Sequence, residues 1–196
     1  MDFTYARTTG IVAALLLVAA VTQAVYTALY LAEMDVPRQL LWGGEGLLFA
    51  LMAAFAGSAL AQAKGLHLAW SAIAAAAVLN VVQVGVGLTL FGPFREVAQA
   101  IPEAAPTAGA IVAFSFMVYN AAKALLALAL IVVGLSRGKV LGAVSALVGV
   151  FAFVTNTASM AAGRGVFGEL PLAGGSGVLA TVLLAVGLFA LPGEDR

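Results

Sequence analysis

Lys123 is the residue in this chain best placed to do chemistry. It stands inside the long apolar stretch 108–135, where a helix centre in a bilayer accepts a charge only at a cost of about 3 kcal/mol. Tyr119 and Asn120 precede it by four and three residues and share its helix face. An ammonium, a phenol and an amide on one face could hold the polar, for instance anionic, head of a small molecule. Side chains lean toward the N-terminus of their own helix, so the ammonium is expected to point toward the side from which that helix enters the membrane.

Other apolar stretches carry polar groups at a similar depth. The first has Gln23, Tyr26 and Tyr30 along one stripe. The second has Glu45 within Trp42-Gly43-Gly44-Glu45-Gly46. The third has Asn80 and Gln83, three residues apart, and the fifth has Thr155, Asn156, Thr157 and Ser159 near its end. If these faces converge, Lys123, Asn120, Tyr119, Asn80, Gln83, Gln23, Tyr26 and Glu45 form a ligand-binding set lining a polar cavity open to the outside. Glu45 and Lys123 differ in depth by about nine residues, or ~13 Å at 1.5 Å per residue. That exceeds a lysine's reach and leaves room for waters or a ligand's head. The same residues admit a structural reading, in which Lys123 and Glu45 neutralise each other, Lys123 snorkels to an interface, and the amides bond neighbouring helices.

The elements that must position these groups follow from composition. The chain has 196 residues, 63% hydrophobic and 9% charged, with nine cations, nine anions and a mean hydropathy of +1.10. A soluble domain carries about 25% charged residues. A soluble enzyme, a disordered chain and a nucleic-acid binder are excluded, the last because no basic patch could neutralise phosphates. About 20 apolar residues cross the hydrocarbon core, and six such stretches are present, at 9–31, 39–62, 66–91, 108–135, 139–160 and 174–192. The expected fold is all-α, a single domain over 1–196 built as a bundle of six transmembrane helices. Thr22-Gln23-Ala24 resembles a leader cleavage site, but the apolar run continues through Tyr30 and Leu31, so the first stretch is taken as a span. In the third connection Phe94, Val97 and Ile101 recur at helical spacing around Arg95, Glu96 and Gln99, which predicts a short amphipathic helix lying in the interface.

Five Lys/Arg (Arg7, Lys64, Arg137, Lys139, Arg196) fall on the side of the termini and three (Arg38, Arg95, Arg164) on the other. The positive-inside rule then places both termini in the cytoplasm. Trp70 and Tyr5 are expected at the inner interface, with Trp42, Tyr26 and Tyr30 at the outer one. Ala53, Gly57 and Ala61 on the second helix, and Gly138, Gly142, Ser145 and Gly149 on the fifth, are small residues of the kind that let membrane helices approach closely, within one chain or in a homodimer.

Many chemistries lack their residues. No cysteine is present, which removes disulfide, iron–sulfur and thiolate-zinc chemistry. The single histidine, His67, lies at a helix boundary without a second ligand at zinc or haem spacing, so no metal and no cofactor is expected. There is no Ser-His-Asp arrangement and no selectivity-filter motif. No catalytic residue is assigned; a membrane enzyme on a lipid-phase substrate would have to use Lys123, Tyr119 and Glu45. The helix–basic turn–helix stretch from Gly134 to Gly142 resembles that of small six-helix bacterial membrane proteins, and this layout implies a multi-pass protein of the inner (cytoplasmic) membrane without implying a function. The expected partners are membrane lipids, a small amphiphilic ligand bound or transported around Lys123, and, on an alternative reading as a non-catalytic accessory or scaffold, a second membrane subunit.

Overall fold

The computed structural model describes residues 3–32, 34, 38–137, 140–168 and 170–191. Glu33, Asp35, Gly138, Lys139, Glu169 and Arg196, and the side chains of Tyr30 and Arg164, lie outside what is described. Six helices follow one another: α1 (Tyr5–Leu31), α2 (Arg38–Gln62), α3 (His67–Ala100), α4 (Ala105–Arg137), α5 (Val140–Ala162) and α6 (Leu172–Phe189). Single 3-10 turns at Pro102–Ala104 and Arg164–Phe167 connect α3 to α4 and α5 to α6. All six are long and apolar enough to cross a membrane. The chain is an integral, all-α membrane protein.

The third connection is tighter than its proline and glycine content suggests. The segment around Phe94 and Val97 is helical, but it continues α3 through Pro93 instead of forming a separate surface helix. Pro93 removes one backbone donor, and the helix closes over that gap. The break comes at Ile101, whose backbone is extended, and Pro106 is accommodated in the first turn of α4, where its missing N–H has no helical partner to lose. At 34 and 33 residues, α3 and α4 run to about 50 Å, well past the ~30 Å hydrocarbon core. Their hairpin therefore carries exposed Arg95, Glu96 and Glu103 beyond the bilayer at the end opposite the termini.

Side-by-side packing closes a ring. α1 packs on α2, α2 on α3, α3 on α4, α4 on α6, and α6 back on α1; α5 stands outside, against α4 and α6. The half of the ring nearer the termini is filled with apolar side chains: Val12, Leu16, Met52, Trp70, Ile73, Leu126, Leu130, Leu184 and Leu188 are essentially inaccessible. Trp70 and Tyr5 pack edge to face inside this end, and the indole N–H donates to the phenol oxygen at 2.8 Å. Trp70 is buried and Tyr5 half-buried against it. Trp42 is likewise turned inward, between Tyr26 and Phe91, with its ring laid on Gly87. The other half of the ring is looser along α1. Beyond Ala20 no described residue of α1 is buried, and Val21 and Val25 are exposed.

Close approach occurs where glycines face one another. A Cβ added to Gly142 would lie 2.5 Å from the Gly134 carbonyl oxygen, and one on Gly134 would lie 2.7 Å from that of Gly142. The small face of α5 is thus a contact with α4 inside the monomer. The stripe Ala53, Gly57, Ala61 on α2 does not behave this way. Gly57 and Ala61 are exposed, and a Cβ on Gly57 would meet nothing within 4 Å; the buried face of α2 is Trp42, Glu45, Phe49, Met52, Ala56 and Ala59. Lipid and protein interior are both apolar, so the hydrophobic pattern does not say which side of such a helix faces in.

Gly142→Ala is expected to destabilise the protein by about 1–3 kcal/mol through overpacking. Gly57→Ala, with open space around it, should be neutral or stabilising by up to about 1 kcal/mol through helix propensity. Reversible unfolding in mixed detergent and bicelles, followed by circular dichroism, measures both.

Candidate functional site

Each ring helix brings at least one polar side chain to the middle of the bundle. α1 supplies Gln23, α2 Glu45, α3 Asn80, α4 Lys123 and α6 Thr181. Four of the five are buried, and Gln23 is partly so. The apolar plug fills the ring on the side of the termini, so these groups sit directly above it.

Lys123 is 1% exposed. Its methylene stem lies against Gly177 of α6, where an added Cβ would come within 3.1–3.2 Å of Lys123 Cβ, Cγ and Cδ. A side chain at this position would press on the stem, which would have to give by a few tenths of an ångström. The ammonium donates to Gln23 Oε1 at 2.5 Å and to Thr181 Oγ1 at 3.3 Å. It also stands 5.4 Å from the centre of the Tyr119 ring, within the range of a cation–π contact. Thr181 can face the ammonium with its lone pairs because its own proton goes to the Gly177 carbonyl at 2.7 Å.

Glu45 is 7% exposed and accepts from the Thr22 hydroxyl at 2.7 Å. Among the described residues Glu45 and Lys123 make no ion pair within 4.0 Å, although each feels the other's field. Two consecutive residues of α1 therefore hold opposite charges separately: Thr22 takes the carboxylate and Gln23 the ammonium. In water the arrangement would mean little. In a membrane interior two unscreened charges attract over longer distances, and each still needs hydrogen bonds at its own atoms.

The remaining sequence-derived candidates divide. Tyr119 joins Lys123 as described. Asn80 is 1% exposed and donates to the Ala76 carbonyl at 2.9 Å; its Oδ1 is buried without a hydrogen-bond partner. Gln83 reaches Ser115 on α4 at a long 3.4 Å. Asn120 is buried and turns its amide N–H to the Phe116 carbonyl of its own helix at 2.8 Å, and Tyr26 stacks on Trp42; neither hydrogen bonds to Lys123. The polar run at the end of α5 belongs to a different contact, since Thr155 bonds Ser176 at 2.8 Å and Asn156 donates to the Ala152 and Ala173 carbonyls of α5 and α6. His67 is exposed at the first residue of α3. Among the described residues no cluster of three metal-ligating side chains occurs.

Sequence reasoning gave Thr22, Gly177 and Thr181 no part in holding Lys123 or Glu45. A signal existed for the last, the only polar side chain between 178 and 191. Comparison with known proteins finds no matching family model, no matching curated protein and no matching solved structure.

Gln23→Leu is expected to cost about 1.5–3 kcal/mol of stability, the range for a hydrogen bond to a charged group. Gln83→Leu should cost under about 1 kcal/mol, because a 3.4 Å contact is weak. The same unfolding titration compares the two.

Proposed function

We propose that this protein binds, or carries across the membrane, a small amphiphile whose anionic head is taken by Lys123. One observation carries the reading: a fully buried ammonium is satisfied by two neutral oxygens, while the nearest carboxylate is held elsewhere. A lysine kept only for neutralisation gains most from direct contact with its carboxylate. An ammonium resting on an amide and a hydroxyl, with three N–H donors and two acceptors, keeps its strongest interaction for an anion that replaces the Gln23 oxygen.

The route supports the same reading. The loosely packed part of α1 beyond Ala20 carries Gln23 itself, so displacement of that segment would open the site toward the end opposite the termini and sideways to lipid. A head group arriving there would pass Gln83 and Ser115 and meet the unpartnered Asn80 oxygen, which accepts a donor such as a ligand hydroxyl or a water. Val21 and Val25 offer apolar surface to the tail. The cation count proposes the bacterial inner membrane with both termini cytoplasmic and this opening on the outer face.

One observation favours a second reading, an accessory or scaffold subunit. The exposed Gly57 and Ala61 on α2 form a small-residue face on which a partner helix or a second copy could pack. Co-purification of a partner in mild detergent, with no ligand retained, decides for it.

Lys123→Met is expected to abolish retention of decanesulfonate, a permanent monoanion, in native mass spectrometry of the detergent-released protein. Unchanged retention removes Lys123 from the site. For orientation, the chain has no native cysteine, so Lys64→Cys and Glu103→Cys can be labelled singly. In intact spheroplasts an impermeant maleimide should modify position 103 and leave position 64 unmodified; the reverse pattern inverts the topology.

A further inference from the structure

We infer that anion binding at Lys123 is coupled to protonation of Glu45, one proton for each anion. This rests on the ligand reading above and adds a second, proton-accepting site to it.

The argument is one of charge balance. At rest the ring holds one ammonium and one carboxylate, apart from each other but in each other's field. Among the described residues the other polar groups that the packed helices bring to this level carry no charge: Thr22 and Gln23 on α1, Asn80 and Gln83 on α3, Asn120 on α4 and Thr181 on α6. Two phenols on the packed helices are titratable, Tyr26 on α1 and Tyr119 on α4, and Tyr119 interacts electrostatically with Glu45. His67, Arg95 and Glu96 are exposed at the helix ends. When a monoanion docks on Lys123, the ammonium no longer compensates Glu45, and the ring would hold a net negative charge in a medium that barely solvates it. A proton from water added to the Glu45 carboxylate restores neutrality. No other bond forms or breaks.

Thr22 is built to accommodate the change. Its Oγ1 lies 2.7 Å from Glu45 Oε1 and also 3.0 Å from the Ala19 carbonyl oxygen of its own helix. With Glu45 ionised the hydroxyl donates to the carboxylate. With Glu45 protonated the hydroxyl turns its hydrogen to Ala19 and accepts the carboxyl O–H. Both protonation states are thus hydrogen-bonded without movement of a heavy atom. Gln23, the next residue, is the group the anion displaces, so the two events meet in a single turn of α1.

The test is calorimetric titration of decanesulfonate into the full chain in lipid nanodiscs. Runs at one pH in phosphate and in Tris, whose ionisation enthalpies differ, give the number of protons taken up. Decanesulfonate does not itself protonate, so any proton taken up goes to the protein. Wild type should take up close to one proton per anion, and its affinity should fall about tenfold for each unit rise in pH. Glu45→Gln should abolish the uptake and flatten the pH profile. Thr22→Val, which removes the switching hydroxyl and leaves the carboxylate without its donor, should lower the uptake well below one. Binding to wild type without proton uptake, or uptake that persists in Glu45→Gln, overturns the coupling and leaves the ligand site standing. Absence of binding to wild type, or equal binding in Lys123→Met, overturns both.

Discussion

A bilayer interior forbids an ammonium that has no hydrogen-bond acceptors, and the packing of this protein is organised around that constraint at Lys123. The lysine stem packs tightly on Gly177, where α6 comes close to α4. The ammonium needs oxygens, and these come from α1 and α6, the two helices whose contact closes the ring. Below that level the ring holds by dry packing of Leu, Ile, Val and Trp side chains, and dispersion suffices. The division between apolar plug and polar belt follows from where the charges stand.

Much of the fold was legible, for a simple reason: six runs of about twenty apolar residues leave few alternatives. The error in the third connection had an equally simple source, since Pro93 reads as a stop and the structure carries the helix through it. Less legible was the side of each helix that faces the ring. In a soluble bundle polarity separates inside from outside. Here Gly57 and Gly142 sit in equally apolar runs, yet one faces away from the bundle and the other touches a backbone.

The candidate site divides along the same line. Lys123, Gln23 and Glu45 stood out because their side chains do not belong in hydrocarbon, but their registers left open whether the lysine and the carboxylate touch. Thr22 and Thr181 escaped because a threonine in a helix can satisfy its hydroxyl on the carbonyl three or four residues back; its presence therefore raises no alarm. Thr181 makes that bond, Thr22 keeps the Ala19 carbonyl in reach while it donates to Glu45, and both face a charge. Asn120 shows the converse, an amide in the expected position that spends its N–H on its own helix.

The exclusion of α5 from the ring has an electrostatic outcome. As a return pass, α5 lets α6 run in the same direction as α4, with Gly177 beside Lys123 and Gly187 beside Arg137. Five helices then surround the polar belt, and α4 and α6 are the one parallel pair of neighbours among them. At the end far from the chain termini α2, α4 and α6 begin, while α1 and α3 finish. Each helix start carries roughly half a positive charge and each finish half a negative one; the finish of α5, packed on α4 and α6 at the same end, supplies the third negative half-charge, so the mouth is balanced only with the help of a helix that stands outside the ring.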